Sequence, residues 1–86
     1  MPVISRFFGV QIMMYYNEHP PPHFHVRYNS QKAVIDIAQL SVITGKIPPR
    51  ILGFVIEWAS LHRTELLENW NLAVKELPLL AIDPLE

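Results

Sequence analysis

The feature that most limits what this chain can fold into is a change of hydrophobic period near Pro48. Up to Ile43 the apolar residues tend to alternate, and beyond Pro48 they recur at three- or four-residue steps. Alternation lays one apolar face on a strand; steps of three and four lay a stripe on a helix. Strands first and helices afterwards predict an α+β fold, a small antiparallel sheet whose apolar face is covered by helices. A chain of 86 residues has material for one core, so residues 1–86 read as a single domain, with the sheet over 3–44, helices over 48–76 and an extended apolar tail over 77–86.

Three to four strands are expected in the first half. In "RFFGVQIMMYY" the residues Phe8, Val10, Ile12, Met14 and Tyr16 share a face if the chain is extended, with Gly9 as a candidate bulge. "NEHPPP" then breaks the ladder, because proline has no N–H to donate. "HFHVRY" alternates cleanly: Phe24, Val26 and Tyr28 point one way, His23, His25 and Arg27 the other. After the turn "NSQK", "AVIDIA" sets Ala33, Ile35 and Ile37 on an apolar face, and a short strand follows around Leu40 to Ile43.

The helical stripe runs through Ile51, Val55, Trp58, Ala59, His62, Leu66, Trp70, Ala73 and Leu77. Pro48 and Pro49 suit a first helical turn. Thr64 is a candidate cap, so a helix pair broken near His62–Thr64 is preferred over one kinked helix. Gly53, costly inside a helix, is a candidate close backbone approach. Trp58 and Trp70 read as core. The tail carries Leu79, Leu80 and Ile82, candidates for apolar surface left over for a protein partner or a second copy of the chain.

Composition narrows the function classes. With no cysteine, disulfides, thiolate metal sites and thiol nucleophiles are excluded, and an intracellular, cytoplasmic location fits. Seven basic and eight acidic side chains give a formal net charge of −1, which does not favour nucleic acid or anionic lipid as a partner, although a local basic patch could still recruit one. The apolar N-terminal run is too short to span a bilayer and lacks a basic leader or cleavage site, so no membrane association is expected.

"NEHPPPHFHV" holds His19, His23 and His25, and it is the candidate site. His23 and His25 stand on one strand face, roughly 6–7 Å apart at Cα, a spacing from which two imidazoles reach one metal ion. Pairing Phe24 with Ile35 puts His23 opposite Asp36; a shift by two residues puts His25 there instead. The first register also sets Arg27 against Lys32, a like-charge contact, so the second is preferred. Either way Asp36 joins His23, His25 and Arg27, as a ligand or as an orienting partner. His19 joins only if the prolines fold back. The group suits a divalent transition metal, general acid–base chemistry of a hydrolase or ribonuclease, or an anion, and competes with a plain structural role. His62 reads as a packed histidine at a helix end. No Walker loop, dinucleotide fingerprint, H-E-x-x-H or nucleophile elbow is present.

Several segments together resemble a known bacterial family. They are Ile4–Ser5–Arg6–Phe7–Phe8, the block from Pro21 to Val26, and the run from Glu57–Trp58–Ala59 through Leu61–His62–Arg63 to Asn69–Trp70. The family is that of domain of unknown function 4160, whose motif D/E-H-x-P-P-H-F-H is matched from Glu18 to His25 with Pro20 at the variable position. The resemblance covers nearly the whole chain. It implies a small cytoplasmic protein, often encoded beside domain of unknown function 2442 as a toxin–antitoxin-like pair, and hence a protein-interaction component whose partner is the neighbouring gene's product. It assigns no catalytic residue.

Overall fold

The computed structural model describes residues 2–86. The fold is α+β, as the change of period predicts. Five strands, β1 (Val3–Phe7), β2 (Val10–Met13), β3 (His23–Tyr28), β4 (Gln31–Asp36) and β5 (Val42–Gly45), form one antiparallel sheet in the order β1-β2-β3-β4-β5. Two helices follow, α1 (Pro49–Leu61) and α2 (Arg63–Val74).

The strand count exceeds the expected three to four because the first apolar run is two strands. Phe8 and Gly9 have φ of 50° and 79°, and Phe7 pairs with Val10. Positive φ at both central residues is the requirement of a type I′ hairpin turn. Gly9 is therefore the second turn residue and not a bulge. The bulge lies between Val3 and Ser5 instead. Phe8 leaves the face it was assigned to and is 52% exposed, while Val10, Ile12 and Met14 are buried as expected.

The β3–β4 hairpin adopts the register with Phe24 opposite Ile35, not the shifted one that the charge argument favours. His23 faces Asp36, Phe24 faces Ile35, and Arg27 faces Lys32. The turn decides this: Asn29 takes φ of 54° and Tyr28 pairs with Gln31 across a two-residue loop. Asn tolerates that backbone well, so a tight turn outweighs one exposed like-charge contact.

The inner sheet face and the helices make one core, in which Phe24, Val26, Ile35, Val55 and Trp58 are fully buried. Pro49 opens α1 in the first-turn position, and the break between helices falls at His62. Thr64 does not cap α2; His62 occupies that position without a side-chain cap bond. Gly53 is exposed, and a Cβ there would meet nothing within 4 Å. The close approach is at Gly45, where a Cβ would run into the Lys32 carbonyl oxygen.

The tail lies against the body. The Ile82 N–H donates to Ile4 O at 2.8 Å, and Asn69, almost fully buried, bonds both the Leu80 carbonyl and the Leu80 N–H. Trp58 Nε1–H donates to Asp83 O at 2.8 Å. Ile82 is thus spent on the chain's own core at 4% exposure, and Leu79 packs partly against it. Of the three tail residues considered for a partner surface, only Leu80 keeps an exposed side chain, at 60%. No helix among the described residues is long and apolar enough to cross a membrane.

Candidate metal centre

The β2–β3 connection, residues 14–22, is tied down at several points. Met14 N–H bonds Pro2 O, Asn17 N–H bonds Ala73 O near the end of α2, and Ile37 N–H bonds Pro22 O beyond β4. The Pro20–Pro21 peptide is cis and Asn17 has φ of 56°. The connection doubles back over the start of β3, and the residue it delivers there is Glu18.

Glu18 Oε1 lies 2.8 Å from His25 Nε2 and 3.2 Å from His23 Nε2. The three potential ligand atoms are all within 4.8 Å of one another. His23 is held on two further sides. Its Nδ1 is 2.7 Å from Pro21 O, and its ring packs against Trp70 with centroids 5.0 Å apart. A carbonyl oxygen only accepts, so His23 Nδ1 carries the hydrogen and the ring turns Nε2 toward Glu18 and His25. In the neutral ring that Nε2 is a lone pair facing a carboxylate oxygen. Two acceptors at this distance call for a cation between them, either a proton or a metal ion.

His25 is fixed by the edge-on ring of Tyr15, 4.3 Å between centroids, and by Glu18. The side chains of Glu18, His25 and His23 are 29%, 21% and 11% exposed, so the cluster is sheltered on the His23 side and open on the other. A tetrahedral site with bonds of about 2.0–2.1 Å keeps its donors about 3.3 Å apart; Glu18 and His23 stand at 3.2 Å, and Glu18 and His25, at 2.8 Å, are at hydrogen-bond distance.

The remaining candidates fall elsewhere. Asp36 faces His23 across the ladder, but its Oδ1 accepts from Gln39 N–H at 2.7 Å and closes a turn after β4. His19 is exposed and outside the cluster. Arg27 is exposed further along β3, its Nε–H donating to Asn29 O at 3.3 Å. Glu18 is the residue that strand reasoning does not reach, because it sits on a loop with no period. Its signal was its place as the acidic first position of the histidine motif. His62 meets Glu65 three residues on and rests on Trp58, centroids 5.5 Å apart, as a packed helix-end histidine would.

A family model described as Domain of unknown function (DUF4160) matches residues 9–71. That span contains Glu18, His23 and His25 together with β2 to β5, α1 and most of α2. No curated protein and no solved structure matches the chain.

Proposed function

The chain belongs to the DUF4160 family, and we propose that its Glu18–His23–His25 cluster binds one divalent transition metal ion. The observation that carries this reading is the His23 ring: its Nδ1–H is committed to Pro21 O at 2.7 Å while Nε2 faces Glu18 Oε1 at 3.2 Å. Metal-bound histidines usually donate the other ring N–H to a carbonyl or carboxylate, which fixes tautomer and orientation. Two imidazole nitrogens and one carboxylate oxygen suit zinc, iron, nickel or manganese. Three protein ligands leave at least one position open, the arrangement of catalytic rather than structural sites, and an ion there would supply an activated water for hydrolysis. Asp36 and His19 are not ligands in this proposal.

Titration of zinc chloride into EDTA-stripped, tag-free protein, followed by calorimetry, is expected to give one ion per chain. His25→Ala and Glu18→Gln should each weaken binding at least tenfold, and His19→Ala should leave it unchanged. The absence of binding heat, with no thermal shift from zinc, nickel or manganese, would overturn the proposal.

A second reading, as the partner-binding half of a toxin–antitoxin-like cassette, is favoured by the far sheet edge. The β1 edge is bonded by the tail through Ile82, whereas all of β5 is exposed, with Val42 at 40% and Ile43 at 48%. An open edge carrying exposed β-branched residues is a template for an added strand. Co-expression with the neighbouring gene's product is expected to give a complex on size exclusion that Val42→Pro disrupts. Two separate peaks for the wild-type pair would sink this reading.

A further inference from the structure

The formal net charge of −1 conceals a segregation. Arg6 pairs with Gln11, Gln11 with Arg27, and Arg27 with Lys32, so these residues form one row across the outer sheet face. Lys46 continues it beyond β5, its N–H bonded to Lys32 O at 2.9 Å. Four of the seven basic side chains, Arg6, Arg27, Lys32 and Lys46, thus lie along this line, all of them exposed. Six of the eight carboxylates, Glu57, Glu65, Glu68, Glu76, Asp83 and Glu86, belong to the helices and tail. Among the described residues no carboxylate comes within ion-pair distance of any cation in the row.

Like charges directly opposite on a ladder repel, and Arg27 and Lys32 are held so without a counter-charge. Neighbouring strands are roughly 4.8 Å apart, so the row runs on the order of 19 Å across the sheet. That is longer than one small anion needs and matches a short run of backbone phosphates. Next to the row, on the side of the Glu18–His23–His25 cluster, is a concavity of about 200 Å³ lined by Met13, Tyr15, His25, Val34 and Thr44 together with Arg27 and Lys32 of the row. An apolar slot walled by two aromatic rings beside a cationic line is what single strands use: the line tracks phosphates and the slot takes a base.

We propose that the outer face of the sheet binds single-stranded nucleic acid, its phosphates along Arg6, Arg27, Lys32 and Lys46 and one base in the slot beside His25. The inference needs no metal. Its test therefore uses EDTA-treated protein, so that its failure is separate from failure of the metal reading.

The probes are fluorescein-labelled 12-nucleotide oligo(U) and oligo(dT), followed by anisotropy between 25 and 200 mM salt. Binding is expected to fall with a log–log salt slope of about −2 to −3, as for three to four phosphates neutralised on a single strand. Arg27→Glu combined with Lys32→Glu should weaken binding at least tenfold with the circular dichroism spectrum unchanged, while Lys75→Ala, on the helix side, should have no effect. Tighter binding of oligo(U) would identify RNA as the source of the strand, and tighter binding of oligo(dT) would identify DNA. No binding at 25 mM salt, equal loss with Lys75→Ala, or full competition by equimolar pyrophosphate would each overturn the proposal, the last by reducing the face to a small-anion site.

Discussion

The chain makes two kinds of histidine–glutamate contact, and they are built differently. At the start of α2, His62 and Glu65 are three residues apart, the ring rests on Trp58, and the Glu65 side chain is 48% exposed. Any helix start with these residues could make this contact from its own backbone geometry. At the end of the sheet, Glu18 comes from a loop and meets two rings that come from a strand. One of those rings has its second nitrogen locked on a backbone carbonyl and its face packed on Trp70. A His–Glu contact is therefore weak evidence of a site on its own. Convergence of a second ring, and a fixed tautomer behind the first, are what set the sheet-end cluster apart as the candidate site.

The largest expected difference is in metal-free stability. His23→Ala removes a ring that is 9% exposed and leaves the Pro21 carbonyl without its donor. We expect a loss of about 2–3 kcal/mol in urea denaturation, from lost packing of a buried ring against Trp70 and loss of its hydrogen bond to Pro21 O. His62→Ala, at a helix boundary with its ring on Trp58, should cost about 1 kcal/mol. Equal losses at the two positions would remove the contrast, and with it the claim that the sheet-end cluster is held in place by its surroundings.

What was legible beforehand follows the same contrast. Period alone located the sheet, the helical half and their order, because burial of Val10, Ile12, Phe24, Val26, Val55 and Trp58 is a long, redundant signal, whereas the expected break into two helices rests on Thr64, which does not cap. Period also put His23 and His25 on one strand face. It failed where a single backbone conformation decides. The Phe8–Gly9 turn splits a run that reads as one strand, and Phe is a poor advertisement for positive φ, a conformation costing about 1–2 kcal/mol for such a residue. The Asn29 turn set the β3–β4 register against a charge argument worth less than about 1 kcal/mol. Gly53, costly in a helix, faces open space, and the tight approach is at Gly45. Asp36 was the carboxylate that strand geometry could see. Glu18 was not, because its position depends on a loop pinned by contacts to Pro2, Ala73 and Ile37 that no local pattern encodes.

The smaller test is a pair of double-mutant cycles, which measure each contact apart from the packing around it. For Glu18 with His25, at 2.8 Å and with both side chains less than a third exposed, a coupling of about 1–2 kcal/mol is expected for a charge-assisted bond in partial shelter. For Glu65 with His62 the expected coupling is about 0.3–0.5 kcal/mol, the value of an exposed helical pair. Salt separates them further. Half a molar sodium chloride brings the screening length to about 4 Å, which should erase most of the exposed coupling and spare most of the sheltered one. If both couplings fall together, Glu18 is as solvated as Glu65, and its two histidines meet it as a surface charge.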